Sequence, residues 1–127
     1  KTIFDQEVST VTIPGIDGEF GVLQNHAPLI TPLALGEITA KTNEEEFHMA
    51  VSGGMVEVQP HRVLVLADQA ERAEEIDLEL AEKAKKRAEK IMEEKRDDEE
   101  SFADAEAELQ RALLHIKIAK RRKSRRV

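Results

Sequence analysis

Every glycine and every proline of this 127-residue chain lies before residue 61. Gly15, Gly18, Gly21, Gly36, Gly53, Gly54, Pro14, Pro28, Pro32 and Pro60 punctuate the first half, and the last 67 residues carry neither type. Glycine admits positive φ, and proline removes a backbone donor; together they are the strongest local interrupters of regular structure. The chain therefore reads as two objects: a turn-rich module of short strands, then a long helical stretch. Such a build points to gripping a partner rather than to catalysis.

In the first half, β-branched residues at Val8, Val11 and Ile13 mark a strand over 6–13. Pro14 to Gly18 form a turn cluster, followed by a short strand over 19–23 and a loop over 24–28. Residues 29–41 predict a broken strand pair with Gly36 at the break. Asn43 to Glu45 turn the chain, Phe47, Met49 and Val51 share one strand face, and Ser52-Gly53-Gly54 predicts a tight turn. After Pro60-His61, the apolar run Val63 to Ala67 predicts a strand buried on both faces. Short strands with turns at this spacing indicate an all-β sandwich or barrel.

The second half carries helix signals. Asp77 is placed to cap a helix, with Glu79 and Glu82 near its positive end. Leu80, Ala84, Ala88, Ile91 and Met92 recur on one face. The acidic run Asp97 to Glu100 should end that helix, and Ser101 is the expected cap of the next, with Asp104 three residues on. Phe102, Ala105, Leu109, Ala112, Ile116 and Ala119 form a second stripe. The expected architecture is α+β in two parts: a β-sandwich over 1–74, then an antiparallel helical hairpin over 75–127 with helices near 78–96 and 102–122. A single continuous helix is the alternative form of the same stretch.

The net charge of −7 hides an asymmetry. Residues 111–127 hold eight Lys or Arg and no acid, leaving 11 basic against 26 acidic groups in 1–110. A basic tail suits an acidic protein face, an anionic membrane surface or nucleic acid; without interleaved aromatics, stacking on single strands is not indicated. There is no cysteine, so neither a disulfide nor a thiolate metal site can form. The four histidines lack ligand spacing, so no metal is expected. No apolar run approaches the roughly 18 residues of a membrane helix, and no secretory signal pattern opens the chain. From these residues alone, the reading is a non-enzymatic interaction module.

Three segments resemble the epsilon subunit of bacterial and chloroplast rotary ATP synthases: Gly18 to Thr31 (GEFGVLQNHAPLIT), Ser52 to Asp68 around SGGMVEV and VLVLAD, and Ala70 to Asp77 (AERAEEID). The resemblance implies a flattened β-sandwich with a C-terminal helical hairpin. The family's first strand would precede Lys1 and is absent from this sequence, and Gln24 stands where many members have proline. By family position, Glu19, His26 and Pro28 would face the c-ring and gamma subunit. Some members bind ATP on the hairpin. Here Ile76, Asp77 and Ala81 keep that motif, but Leu80 replaces its arginine and His115 another basic position. Asp77, Arg87 and Arg111 would then form at best a weak ATP site, since a neutral leucine cannot pair with phosphate.

The resemblance further implies a non-catalytic rotor subunit that couples the c-ring to the catalytic head through gamma. Its hairpin would extend into the alpha/beta hexamer and block hydrolysis, using the basic residues Arg111, Lys117, Lys120, Arg121, Arg122 and Lys123. It would sit at the cytoplasmic face of a bacterial membrane, as part of the complex. A free-standing hairpin adaptor or chaperone-like protein is the competing reading.

Overall fold

A computed structural model describes residues 7–23 and 25–124, with side chains as far as Arg121. Gln24, Gln6 and the side chains of Arg122 and Lys123 lie outside that description. The chain divides into two compact units, Lys1–Ala73 and Glu74–Val127.

The first unit holds six strands: β1 (Thr10–Gly15), β2 (Gly18–Leu23), β3 (Leu29–Pro32), β4 (Gly36–Lys41), β5 (Glu46–Gln59) and β6 (Arg62–Arg72). All pairings are antiparallel, in the order β2-β1-β4-β5-β3, with β6 on β5. Three tight hairpins explain this order. The expected cluster at Pro14 to Gly18 narrows to a two-residue turn, Ile16-Asp17, with Gly18 at φ 124° where a side chain would be strained. The Thr42 hydroxyl accepts from the amides of Glu44 (3.2 Å) and Glu45 (2.9 Å), fixing the β4–β5 turn. Pro60-His61 joins β5 to β6.

Two expectations for the path of the chain in this unit need correction. Residues 29–41 do not pair with themselves. β3 and β4 follow one another along the same edge of β5, as the pairs Leu29↔Val58 and Gly36↔Val51 show. Nor do Ser52-Gly53-Gly54 reverse the chain: they lie inside the 14-residue strand β5. Gly53 (φ 68°) and Gly54 (φ 120°) turn the strand over without breaking its register with β6, which is the same at Ser52↔Gln69 and Gly54↔Ala67. Before the pair, the odd-numbered Met49 and Val51 enter the core; after it, the even-numbered Val56 and Val58 do. Val11, Ile13, Val22, Leu33, Ile38 and Ala40 complete this aliphatic core.

The second unit holds α1 (Leu78–Glu94) and α2 (Glu99–Ser124), which pack on each other. Asp77 caps α1 as expected, its carboxylate accepting from the Leu80 amide at 3.2 Å. The second cap is not Ser101. Asp98 takes that place, accepting from the Ser101 amide (3.2 Å) and hydroxyl (3.0 Å), so α2 starts three residues earlier than expected. α1 ends at Glu94 with Lys95 as its C-cap, before the acidic run begins, and the last two members of that run, Glu99 and Glu100, sit in the first turn of α2, where the helix dipole favours them. Buried residues of these helices are mostly small: Ala81, Ala88, Ala105, Ala112 and Ala119, with Ile118.

Candidate functional site

The apolar run Val63 to Ala67 was expected to be buried on both faces. It is not. Val63, Val65 and Ala67 point toward the core, while Leu64 and Leu66 on alternate positions are exposed. The register shows what surrounds them. Pro32, Met55 and Leu66 form one cross-strand row, and Ile30, Glu57 and Leu64 the next, on three neighbouring strands. Residues in these rows share one face because side chains alternate along a strand. Ile30 is 67% exposed, Leu66 64%, Met55 43% and Leu64 38%. Single exposed leucines are unremarkable, but a contiguous apolar sheet face is the mark of a docking surface.

A polar edge borders this face. Gln59 pairs with Arg62 in the next row, and the Gln59 side-chain amide donates to Glu57 Oε1 at 2.6 Å. The loop before β3 is tied to the same end: the Asn25 amide donates to the Pro60 carbonyl at 3.1 Å, and Asn25 adopts φ 64° to reach it. His26, half-buried, sits in that loop with its amide on the Leu23 carbonyl (3.2 Å) and its Nδ1 2.7 Å from the Ala27 carbonyl oxygen. Pro28 is exposed and leads directly into β3. His26 and Pro28 thus adjoin the apolar face. Glu19 is exposed near the far end of β2, four residues from Leu23 and so about 13 Å along the strand.

A second cluster depends on register alone. His48 on β5 lies opposite Thr39 on β4, with its Nδ1 3.3 Å from Glu37 Oε2 and its Nε2 3.0 Å from Glu46 Oε1. The two carboxylates flank opposite sides of the ring, and among the described residues no group of three or more such side chains is arranged to hold a metal.

On the hairpin, Asp77 and Arg87 are not brought together: ten residues of one helix separate them, about 15 Å. The Asp77 carboxylate is engaged at the helix cap, and Arg87 forms an exposed ion pair with Glu108 of α2. Arg111 is half-buried one turn beyond Glu108, while Lys117 and Lys120 are exposed and Arg121 half-buried. No helix among the described residues is long and apolar enough to cross a membrane.

Sequence reasoning missed the residues that make the docking face. A signal was present: Ile30, Pro32, Met55, Leu64 and Leu66 are apolar at alternate positions of three segments that also carry inward apolar residues. With both parities apolar, periodicity cannot tell an exposed face from a covered one.

Comparison with known proteins places this geometry. Residues 1–73 match the model of the ATP synthase delta/epsilon chain beta-sandwich domain, and residues 74–120 that of its long alpha-helix domain. An ATP synthase epsilon chain of Dehalococcoides mccartyi is 50% identical over 97% of this chain and 88% of its own length. One from Moorella thermoacetica is 47% identical over 94% and 89%, and one from Herpetosiphon aurantiacus 42% identical over 98% and 91%. Among solved structures, a chain of the Euglena gracilis mitochondrial ATP synthase superimposes with a TM-score of 0.64 at 26% identity, over 96% of this chain and 72% of that one.

Proposed function

This chain belongs to the ATP synthase delta/epsilon family, and from that premise we propose that it is the epsilon chain of an F-type ATP synthase, a non-catalytic part of the rotor. The observation that carries its mechanism is the exposed apolar face of β3, β5 and β6. A rotor part must transmit torque without slipping, which calls for a broad, well-packed contact rather than scattered charge pairs. The aliphatic face supplies it, and we assign it to the gamma subunit. The loop carrying His26 and Pro28, together with Glu19, faces the c-ring. The hairpin is the regulatory part: its basic end, Arg111, Lys117, Lys120, Arg121, Arg122 and Lys123, meets acidic surface of the alpha/beta hexamer and restrains hydrolysis. The protein acts at the cytoplasmic face of a bacterial membrane, held there through the complex.

ATP is at most a weak ligand of the hairpin. Asp77 serves as a cap, Arg87 is paired with Glu108, and Leu80 offers no charge.

The test is Leu66→Asp. Leu66 is outside the core, so the fold should persist. A carboxylate forced into an apolar contact should cost roughly 2 kcal/mol or more of binding. Titrating the variant into enzyme depleted of this subunit should show weakened reassembly. Unchanged affinity would remove the face from the interface.

A further inference from the structure

Glu57 stands in the middle of the apolar face. Its neighbours across the strands are Ile30 and Leu64, and the row beside it is Pro32, Met55 and Leu66. Gln59 holds its Oε1, and no cation reaches the carboxylate among the described residues; the nearest in register, Arg62, lies opposite Gln59 one row away. While the face is open, water solvates this charge. Once a partner covers the face, that water is expelled. One amide donor does not compensate an ionised carboxylate, so an occupant with a purely apolar surface would leave a buried unpaired charge.

We propose that Glu57 is the specificity-determining residue of this face, and that the gamma surface covering it presents a lysine or arginine to Glu57 Oε2. The inference rests on the assignment of the face to gamma. One observation supports the cation. The carboxylate is pre-positioned by Gln59, so little side-chain freedom remains to be lost on pairing. The same negative centre rejects anionic surfaces, whether lipid headgroups or nucleic acid, and rejects apolar surfaces that bring no counter-charge. Aliphatic side chains around it exclude water and strengthen the pair, as a rim does around an interface centre.

The sign of one substitution separates the alternatives. If the carboxylate were merely tolerated, replacing it with the neutral, similarly shaped amide would relieve a burial penalty and tighten binding. If it meets a cation, the same change leaves that cation unpaired and weakens binding. The experiment titrates the full chain, Glu57→Gln, Glu57→Lys and Leu66→Asp into enzyme depleted of this subunit, at low and high salt. Circular dichroism confirms the fold of each.

We expect Glu57→Gln to bind about tenfold or more weakly than the parent. Glu57→Lys should bind more weakly still, and the difference between parent and Glu57→Gln should narrow with salt. Equal or tighter binding by Glu57→Gln overturns the proposal. Loss of binding in Leu66→Asp with no loss in Glu57→Gln overturns it while leaving the assignment of the face intact. No loss in either variant overturns both. Binding of the parent to anionic vesicles that Leu66→Asp abolishes, and so runs through this face, also overturns it.

Discussion

Replacing Gly54 with alanine should cost the β-unit about half of its stability, for a reason visible only in the strand pairing. Gly54 has φ 120°, and a methyl group there would collide with the Leu66 carbonyl oxygen and lie 2.8 Å from the Ala67 Cα. Both obstacles are backbone, so no rotamer change relieves them. Either β5 and β6 separate at the Gly54↔Ala67 pair, or the bend that turns Val56 and Val58 into the core is lost. Forced overpacking costs about 1–3 kcal/mol and a non-glycine residue in a glycine-only region a similar amount, roughly 2–6 kcal/mol together. A unit of this size has a stability of about 4–11 kcal/mol. Urea unfolding of the β-unit, followed by hydrogen exchange of the β5 and β6 amides, should show the midpoint lowered by about 2 M or more. Gly21→Ala is the control: Gly21 is exposed, with nothing within 4 Å of an added methyl. It should fall within about 0.5 kcal/mol of the parent. If Gly54→Ala destabilises no more than Gly21→Ala, the account of the glycine pair as the pivot of β5 is wrong.

Two further outcomes are expected. Hydrogen bonds from the Ser101 amide, then its hydroxyl, hold the Asp98 carboxyl below its ordinary value; a lowered folded-state value gives stability that is present above the unfolded value and lost as pH falls through the folded one. Protection of the amides in the first turn of α2, taken relative to their intrinsic exchange rate at each pH, should therefore fall as pH drops below about 4, and Asp98→Asn should abolish that dependence; an identical pH profile of protection in both would exclude Asp98 as the cap. Replacing Lys120, Arg121, Arg122 and Lys123 with glutamine should raise ATP hydrolysis by the assembled enzyme, most clearly at low ionic strength, and equal rates would show that the basic end does not restrain the catalytic head.

Much of the fold was legible in the residues. Glycine and proline confined to one half divide strands from helices, since no breaker interrupts the second half. The hairpin turn at Pro60-His61 and the cap at Asp77 are local chemistry, read from adjacent residues and found in place. The cap of α2 shows where local reading falters. Asp98 and Ser101 are both good caps three residues apart, and the choice falls to the one whose side chain serves the other's amide and hydroxyl.

Tertiary structure decided the site. Leu64 and Leu66 have the same composition of neighbours in sequence as Val63 and Val65, yet one pair faces water and the other the core. The difference arises because Gly53 and Gly54 turn β5 over, which sets the parity of every residue paired to its second half. It also places Ile30 and Leu64 on either side of Glu57. Local sequence determines which residues are apolar. Which apolar residues remain uncovered depends on pairing between segments distant in the chain, because burial is a property of the assembled sheet and not of any strand within it.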